Sequence, residues 1–268
     1  MKKIFFTDLD GTLLTKNKLI TDVTHHAIRE WTANGNIFVL CSGRANDSVL
    51  NVKETLGLDF PGMYTVGCNG GEIYDCAANK VIYRCPLTFD QVTLVINKAV
   101  EMNVYCQTYT DTHIITPFET EELNYYRRYI HTPYIICKDV LSALDKEPCK
   151  CIAIEIHNKE KLEAFRQALL PLANGELTLL FSSDKYLEIF PSISGKGTAV
   201  TRLCELLDIP IKNSFAAGDE ANDISMLQAA GCGIAMLNAK DDVKKTADII
   251  TQTDNDHDGL AEILLNNL

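Results

Sequence analysis

Two rhythms of apolar and polar positions alternate along the chain. The run over 3–7 is apolar and stops at acids and Gly11, which predicts a short buried strand, and the runs over 37–41 and 64–66 repeat that pattern. Between them, 22–34 and 45–56 have helical character and close before Gly35 and at Gly57, which predicts two helices. Strands alternating with helices specify a parallel sheet covered on both faces, and such sheets bind ligands beyond the carboxyl ends of their strands.

After about residue 70 the rhythm changes. The segments 72–74 and 80–83 flank an Asn/Ala-rich turn, as a hairpin does, and Pro86 follows. A helix over 89–101, short strands over 104–108 and 113–116, and polar helical segments to about 144 come next. Then come a strand over 151–156, a helix over 159–172 and strands over 177–181 and 186–190. From Lys196 the first rhythm resumes, with helices over 196–207, 223–230 and 259–265 and strands over 214–217 and 232–236. The predicted class is α/β: a discontinuous Rossmann-like core, 1–83 and 190–268, with helices on both faces of its sheet. An α+β cap, 84–189, is inserted into it, and Pro191 to Gly195 form the return linker.

Charge narrows the partners. Lys and Arg number 25 against 36 Asp and Glu, a net charge of −11, which repels a phosphate backbone and an anionic membrane surface. Neither nucleic acid nor membrane is an expected partner, and no basic stripe overrides the balance. No apolar run reaches the about 18 residues of a spanning helix, and Asp8 interrupts the start before an export signal's apolar region develops. The ten cysteines are scattered without a C-x-x-C pair, which reads as reduced thiols in a cytoplasmic protein. His25 and His26 are helix neighbours that point about 100° apart and make a poor ligand pair. The oligomeric state, monomer or weak dimer, is left open.

The candidate chemistry lies where strands end. In Thr7-Asp8-Leu9-Asp10-Gly11-Thr12-Leu13-Leu14 two aspartates stand two residues apart at a glycine turn. Crowded carboxylates need a cation between them or a retained proton; the alternative reading is an Asx turn leading out of the strand. A second strand end, Ala216-Ala217-Gly218-Asp219-Glu220-Ala221-Asn222-Asp223, delivers further acids. Asp8, the main-chain carbonyl of Asp10 and Asp219 are oxygen ligands of the kind Mg2+ takes. Asp223 is either a further metal ligand, an outer support to the metal, or an acid favoured by a helix N-terminus.

Two elements suit a phosphate. Cys41-Ser42-Gly43-Arg44 ends the second strand with a hydroxyl and backbone N–H groups ahead of a helix, where an anion is welcome. Lys196, in Ser194-Gly195-Lys196-Gly197, opens a helix, a place where only an anionic partner rewards a lysine. It is not a Walker lysine, because Phe190 and Gly197 stand where that motif needs Gly and Ser or Thr. Asn69-Gly70-Gly71 is one more glycine-rich loop, which a hairpin turn explains equally well.

These motifs resemble those of the haloacid dehalogenase-like hydrolase superfamily, and within it the Cof-type phosphatases, which carry a large α/β cap. DLDGTLL from Asp8 to Leu14 looks like the first motif, Ser42 in CSGR the second, Lys196 in SGKG the third, and GDEANDISM from Gly218 to Met226 the fourth. Asn69-Gly70 is similar to the family's N-G after its third strand. Ser42 replaces a frequent Thr and Gly71 a frequent Ala; a hydroxyl is retained at 42.

The resemblance implies a Mg2+-dependent phosphatase in which Asp8 attacks phosphorus and Asp10 serves as general acid and base. It implies that Lys196 and the metal offset repulsion between anions, that Ser42, Gly43 and Asn222 hold the phosphoryl group, and that Asp8, Asp10, Asp219 and Asp223 surround the metal. Arg44 supports the loop or meets the cap. The cap closes over the site and selects a small phosphorylated metabolite. Sugar phosphates are expected first, then cofactors such as flavin mononucleotide or pyridoxal phosphate. Polar cap candidates are His113, Arg127, Arg128 and Lys185, each of which also reads as ordinary surface. Other readings are a phosphomutase, or a regulatory module that accepts a phosphoryl group or binds metal without turnover.

Overall fold

The computed structural model describes residues 1–128, 130 and 132–268. The chain begins β1 (Ile4–Thr7), α1 (Asp22–Ala33), β2 (Ile37–Cys41), α2 (Asn46–Thr55), β3 (Met63–Gly67), β4 (Glu72–Asp75) and β5 (Lys80–Arg84). It continues α3 (Phe89–Glu101), β6 (Tyr105–Tyr109), β7 (Ile114–Thr116), α4 (Glu121–Arg127), β8 (Tyr134–Ile136), β9 (Cys151–Ile154), α5 (Lys159–Ala173), β10 (Leu177–Ser183) and β11 (Tyr186–Pro191). It ends α6 (Lys196–Leu206), β12 (Ser214–Gly218), α7 (Ile224–Ala229), β13 (Cys232–Ala235), α8 (Asp241–Thr246), β14 (Ile249–Ile250) and α9 (Gly259–Asn266). Two compact units result: Met1–Tyr83 with Gly195–Leu268, and Arg84–Ser194.

The first unit is built on an eight-stranded sheet in the order β14-β13-β12-β1-β2-β3-β4-β5. Pairing is parallel from β14 to β3, and β4 turns back antiparallel on β3. β1 is buried throughout because it lies mid-sheet. There Phe5 stacks between Phe38 and Phe215 and meets the edge of Trp31, whose indole N–H donates to the Ile37 carbonyl at 2.8 Å. α1 starts where the Thr21 hydroxyl accepts from the Thr24 N–H, an N-cap. The register pairs Thr7 with Ala217 and with Leu40, so the chain leaves β1, β12 and β2 at one edge.

The second unit is a six-stranded sheet in the order β10-β11-β9-β6-β7-β8, antiparallel except for β7 with β8. α3 and α5 pack on it through Val92, Val95, Leu162 and Phe165 against Cys106, Ala153, Leu187 and Ile189. The first unit is α/β in class, and the second, with its largely antiparallel sheet, is an α+β module.

The structure departs from expectation in the shortest pieces. Where polar helical segments were predicted to about 144, α4 ends at Arg127, the strand β8 follows, and Val140–Ala143 is a 3-10 turn. The part of that expectation at positions 129 and 131 lies outside the described residues. Pro191, predicted as linker, completes β11, and Asp223, predicted to begin a helix, closes a 3-10 turn ahead of α7. α8 and β14 have no counterpart in the pattern reading. Among the described residues no helix is long and apolar enough to cross a membrane.

Candidate active site

Four loops meet at the carboxyl edge of the first unit's sheet because β12, β1, β2 and β3 are adjacent. Asp8 follows β1 directly, and its N–H donates to the Ala217 carbonyl at 3.0 Å, which carries the β1–β12 ladder one step into the loop. Asp219 follows β12 at the neighbouring position. Gly11 makes the approach of the two loops possible. Its φ is +85°, and a Cβ there would lie 2.3 Å from an oxygen of Asp219.

Asp8, Asp219 and Asp223 are buried, each offering an oxygen within 4.8 Å of the others. Lys196, at the first turn of α6 and 1% exposed, donates to Asp8 and, at 2.5 Å, to Asp223 Oδ1. Asp223 Oδ2 accepts from the backbone N–H groups of Asp219 and Glu220, at 3.0 Å each. Both Asp223 oxygens thus hold protein groups, and the residue ties Lys196 to the loop after β12. The Thr12 hydroxyl donates to Asp219 Oδ1 at 2.8 Å.

The electrostatics show what the cluster lacks. Burial, helped by the Asp223 and Asp219 carboxylates and opposed by Lys196, pushes Asp8 up to about 8. Burial, with Asp223 and Glu220 nearby and Thr12 opposing, pushes Asp219 up to about 7. Burial works against the charge of Lys196, but Asp223 and Asp8 outweigh it and hold its ammonium well above the ordinary range. Three carboxylates share one ammonium, an all-oxygen set with surplus negative charge, and this fits a hard divalent cation such as Mg2+.

Asp10 is placed differently. Its carboxylate lies outside that cluster, 42% exposed, accepting from Arg44 Nη2 at 2.8 and 3.0 Å and from Lys18 Nζ at 2.6 Å. Partial burial is outweighed by Arg44 and Lys18, which hold its pKa below the usual carboxylate range. Its side chain is therefore engaged by these two cations and stands apart from the Asp8, Asp219 and Asp223 group. Ser42, 3% exposed at the end of β2, accepts from the Arg44 N–H at 3.2 Å. Gly43 continues that loop, and Asn222 is half-buried in the turn between Asp219 and Asp223.

Arg44 and Lys18 were not read from the sequence as partners of Asp10. Lys18 sits in a turn with φ +59° that no local pattern marks, and Thr12 was visible only as part of DLDGTLL. The loop over 11–16 is braced from the carboxyl-terminal segment. Asn238 donates to the Gly11 carbonyl at 2.8 Å, Asn255 to the Leu14 carbonyl at 2.7 Å, and Asp256 accepts from the Lys16 N–H at 2.8 Å. Of the polar candidates in the second unit, Arg127 stacks on Tyr134, Arg128 lies over Tyr125, Lys185 bonds the Tyr125 hydroxyl at 3.1 Å, and His113 contacts Thr112.

A parallel sheet with acids at one strand edge and an ammonium between them is a frame for phosphoryl transfer. Residues 5–264 match the family model of haloacid dehalogenase-like hydrolases, and the chain belongs to that family. It is similar, at 32% identity over 98% of its length and 94% of the relative's, to the 5-amino-6-(5-phospho-D-ribitylamino)uracil phosphatase YcsE of Bacillus subtilis. At 26% identity, over 99% of this chain and 98% of the relative, it resembles the pyridoxal phosphate phosphatase YbhA of Escherichia coli. A haloacid dehalogenase-like hydrolase from Bacteroides thetaiotaomicron superposes with a TM-score of 0.90 at 27% identity, with all of both chains covered. The protein is an enzyme of the phosphatase class.

Proposed function

We propose that this enzyme is a Mg2+-dependent phosphomonoesterase of small phosphorylated metabolites, sugar and polyol phosphates first, acting through an aspartyl-phosphate on Asp8. The observation that carries the reading is Lys196 held between Asp8 and Asp223 with Asp219 in reach, a buried anionic cluster with one ammonium. Asp8, Asp219 and the Asp10 carbonyl would hold Mg2+, with Asp223 supporting from behind. Bound there, the cation would neutralise charge on the transferring group.

In the first step an Asp8 oxygen forms a bond to phosphorus as the ester P–O bond breaks, and the leaving oxygen takes its electron pair and a proton from Asp10. In the second, water attacks phosphorus, Asp10 accepts its proton, and the bond to Asp8 breaks to release phosphate. Lys196 lowers the repulsion between anionic nucleophile and anionic ester. Ser42, the Gly43 backbone and Asn222 are assigned to the phosphoryl oxygens. Asp10, paired with Arg44 and Lys18, is in the anionic form that suits the second step; donation in the first requires it to give up those pairs.

A small phosphorylated metabolite is supported by the relatives named for 5-amino-6-(5-phospho-D-ribitylamino)uracil and for pyridoxal phosphate. The inserted unit Arg84–Ser194 is assigned the choice of substrate. All ten cysteines are free thiols, which suits work in a reducing cytoplasm. The test is release of inorganic phosphate from sugar phosphates, nucleotides and phosphorylated cofactors, with Mg2+ or chelator, using the wild type beside Asp8→Asn. Mg2+-dependent release that Asp8→Asn abolishes supports the reading. Turnover by Asp8→Asn, or conversion of a hexose phosphate to an isomer without phosphate release, sinks it.

A further inference from the structure

One polar side chain at the carboxyl edge has no work in this chemistry. Asn69 follows β3 in the turn Cys68–Gly70, is 1% exposed, and neither its amide oxygen nor its amide nitrogen has a hydrogen-bond partner. Buried amides are ordinarily paired, so an amide with both donor and acceptor idle marks either a defect or a site awaiting a ligand.

Its surroundings favour a ligand. The Asn69 N–H donates to the Ser42 carbonyl at 3.1 Å, and the Cys68 N–H to the Arg44 carbonyl at 2.7 Å, so the turn is fastened to both ends of the Ser42-Gly43-Arg44 loop. The amide packs on Gly43: a Cβ there would lie 3.0 Å from Oδ1 and 3.3 Å from Nδ2. Gly70, with φ +94°, presses on the other phosphate motif, since a Cβ there would lie 2.1 Å from the carbonyl of Gly195, the residue before Lys196. Cys68 and Asn69 both hold φ +54°, a conformation that non-glycine residues adopt at a cost and that Asn tolerates better than most. The fold thus carries the idle amide to the glycine between Ser42 and Arg44, on a turn that also touches the lysine loop.

We infer that Asn69 is a phosphate-contacting residue, whose amide donates to a phosphoryl oxygen seated at the Ser42-Gly43 loop. The inference rests on the proposed phosphatase reaction and adds a group to it. Phosphate oxygens accept hydrogen bonds and satisfy Nδ2, while the protonated oxygen of a phosphate monoanion supplies the donor that Oδ1 lacks. Entry requires the amide, sealed from solvent in this structure, to be uncovered as the loop takes up the anion.

The test measures affinity for inorganic phosphate, the reaction product, by calorimetry in the presence of Mg2+, for wild type, Asn69→Gly and Asn69→Asp. Glycine accepts the left-handed backbone and deletes the amide; aspartate keeps the shape and the backbone preference but replaces the donor with an anion. Asn69→Gly should bind phosphate roughly 10–100-fold more weakly, in line with loss of a hydrogen bond to a charged group, and Asn69→Asp more weakly still. Mg2+ affinity without phosphate should stay within about twofold in both, a result that a merely structural role would not give. Variants that bind phosphate within about threefold of a wild type that turns over substrate would overturn the assignment alone, as would a parallel loss of Mg2+ affinity. A wild type that neither binds nor releases phosphate would overturn the phosphatase reading with it.

Discussion

Lys196 donates to Asp8 from 188 positions further along the chain, and the same ammonium reaches Asp223. The lysine therefore compensates two acids at once, and neither has another cation in contact among the described residues. Replacing Lys196 by Met should lower turnover by about 10²–10³-fold, on the scale of losing one electrostatic stabiliser of the transition state. It should also destabilise the metal-free protein by about 3–5 kcal/mol, because two buried carboxylates lose their partner. Urea unfolding with and without Mg2+ checks this. A metal-free Lys196→Met as stable as wild type would show that the ammonium is not what holds the cluster.

The raised pKa values of Asp8, about 8, and Asp219, about 7, make the effect of Mg2+ dependent on pH. Both carboxyls bind protons more tightly folded than unfolded. Their contribution to metal-free stability is complete below the ordinary carboxyl range near pH 4 and is lost as pH rises through 7 to 8. A divalent cation bound to both carboxylates would take the place of those protons. The gain in melting temperature from saturating Mg2+ should be larger at about pH 8 than at about pH 5.5, and titration with Mg2+ at neutral pH should release protons. An equal gain at both pH values would contradict the cluster as the metal site.

Asp10→Asn should slow hydrolysis of alkyl phosphates by about 10²–10⁴-fold, the usual worth of a general acid or base. p-Nitrophenyl phosphate has a leaving group that departs without a proton, so with it the formation of aspartyl-phosphate should survive as a burst. A variant that loses the burst as well would assign Asp10 to folding or metal binding instead.

Gly11→Ala places a Cβ against the Asp219 carboxylate at a left-handed backbone position. The backbone alone should cost about 1–2 kcal/mol. Displacement of Asp219 should weaken Mg2+ binding at least about tenfold, more than the stability loss accounts for. Calorimetric titration of Mg2+ into the folded variant decides; unchanged affinity would mean that Asp219 is not a ligand.

What could be read before the structure was local. Asp8 and Asp219 announced themselves because an apolar strand, a glycine and a carboxylate occupy adjacent positions, and the parallel rhythm required their loops to share an edge. The strands β8 and β14, three and two residues long, are too short to carry a period and exist through pairing with β7 and β13. The orientation of Asp10 was equally hidden. Its two cations come from a turn eight residues later and from the loop after β2, and only the assembled sheet brings Lys18 and Arg44 to it. Asn69-Gly70 was ambiguous because a glycine-rich turn reads the same whether or not its amide is paired.

The discontinuous sheet also has a consequence for synthesis. On a ribosome, β1 and Asp8 emerge before the inserted unit, yet β1 is flanked by β12 from beyond it, and the Lys3 ammonium is anchored on the Asn267 carbonyl at 2.7 Å. The inserted sheet, contiguous in sequence, can condense while the amino-terminal strands still lack their partner. The growing chain therefore carries Asp8 without its β12 and Lys196 neighbours until the segments after the insertion are made. The acidic cluster is completed late, when β12 and the loop after it thread back beside β1.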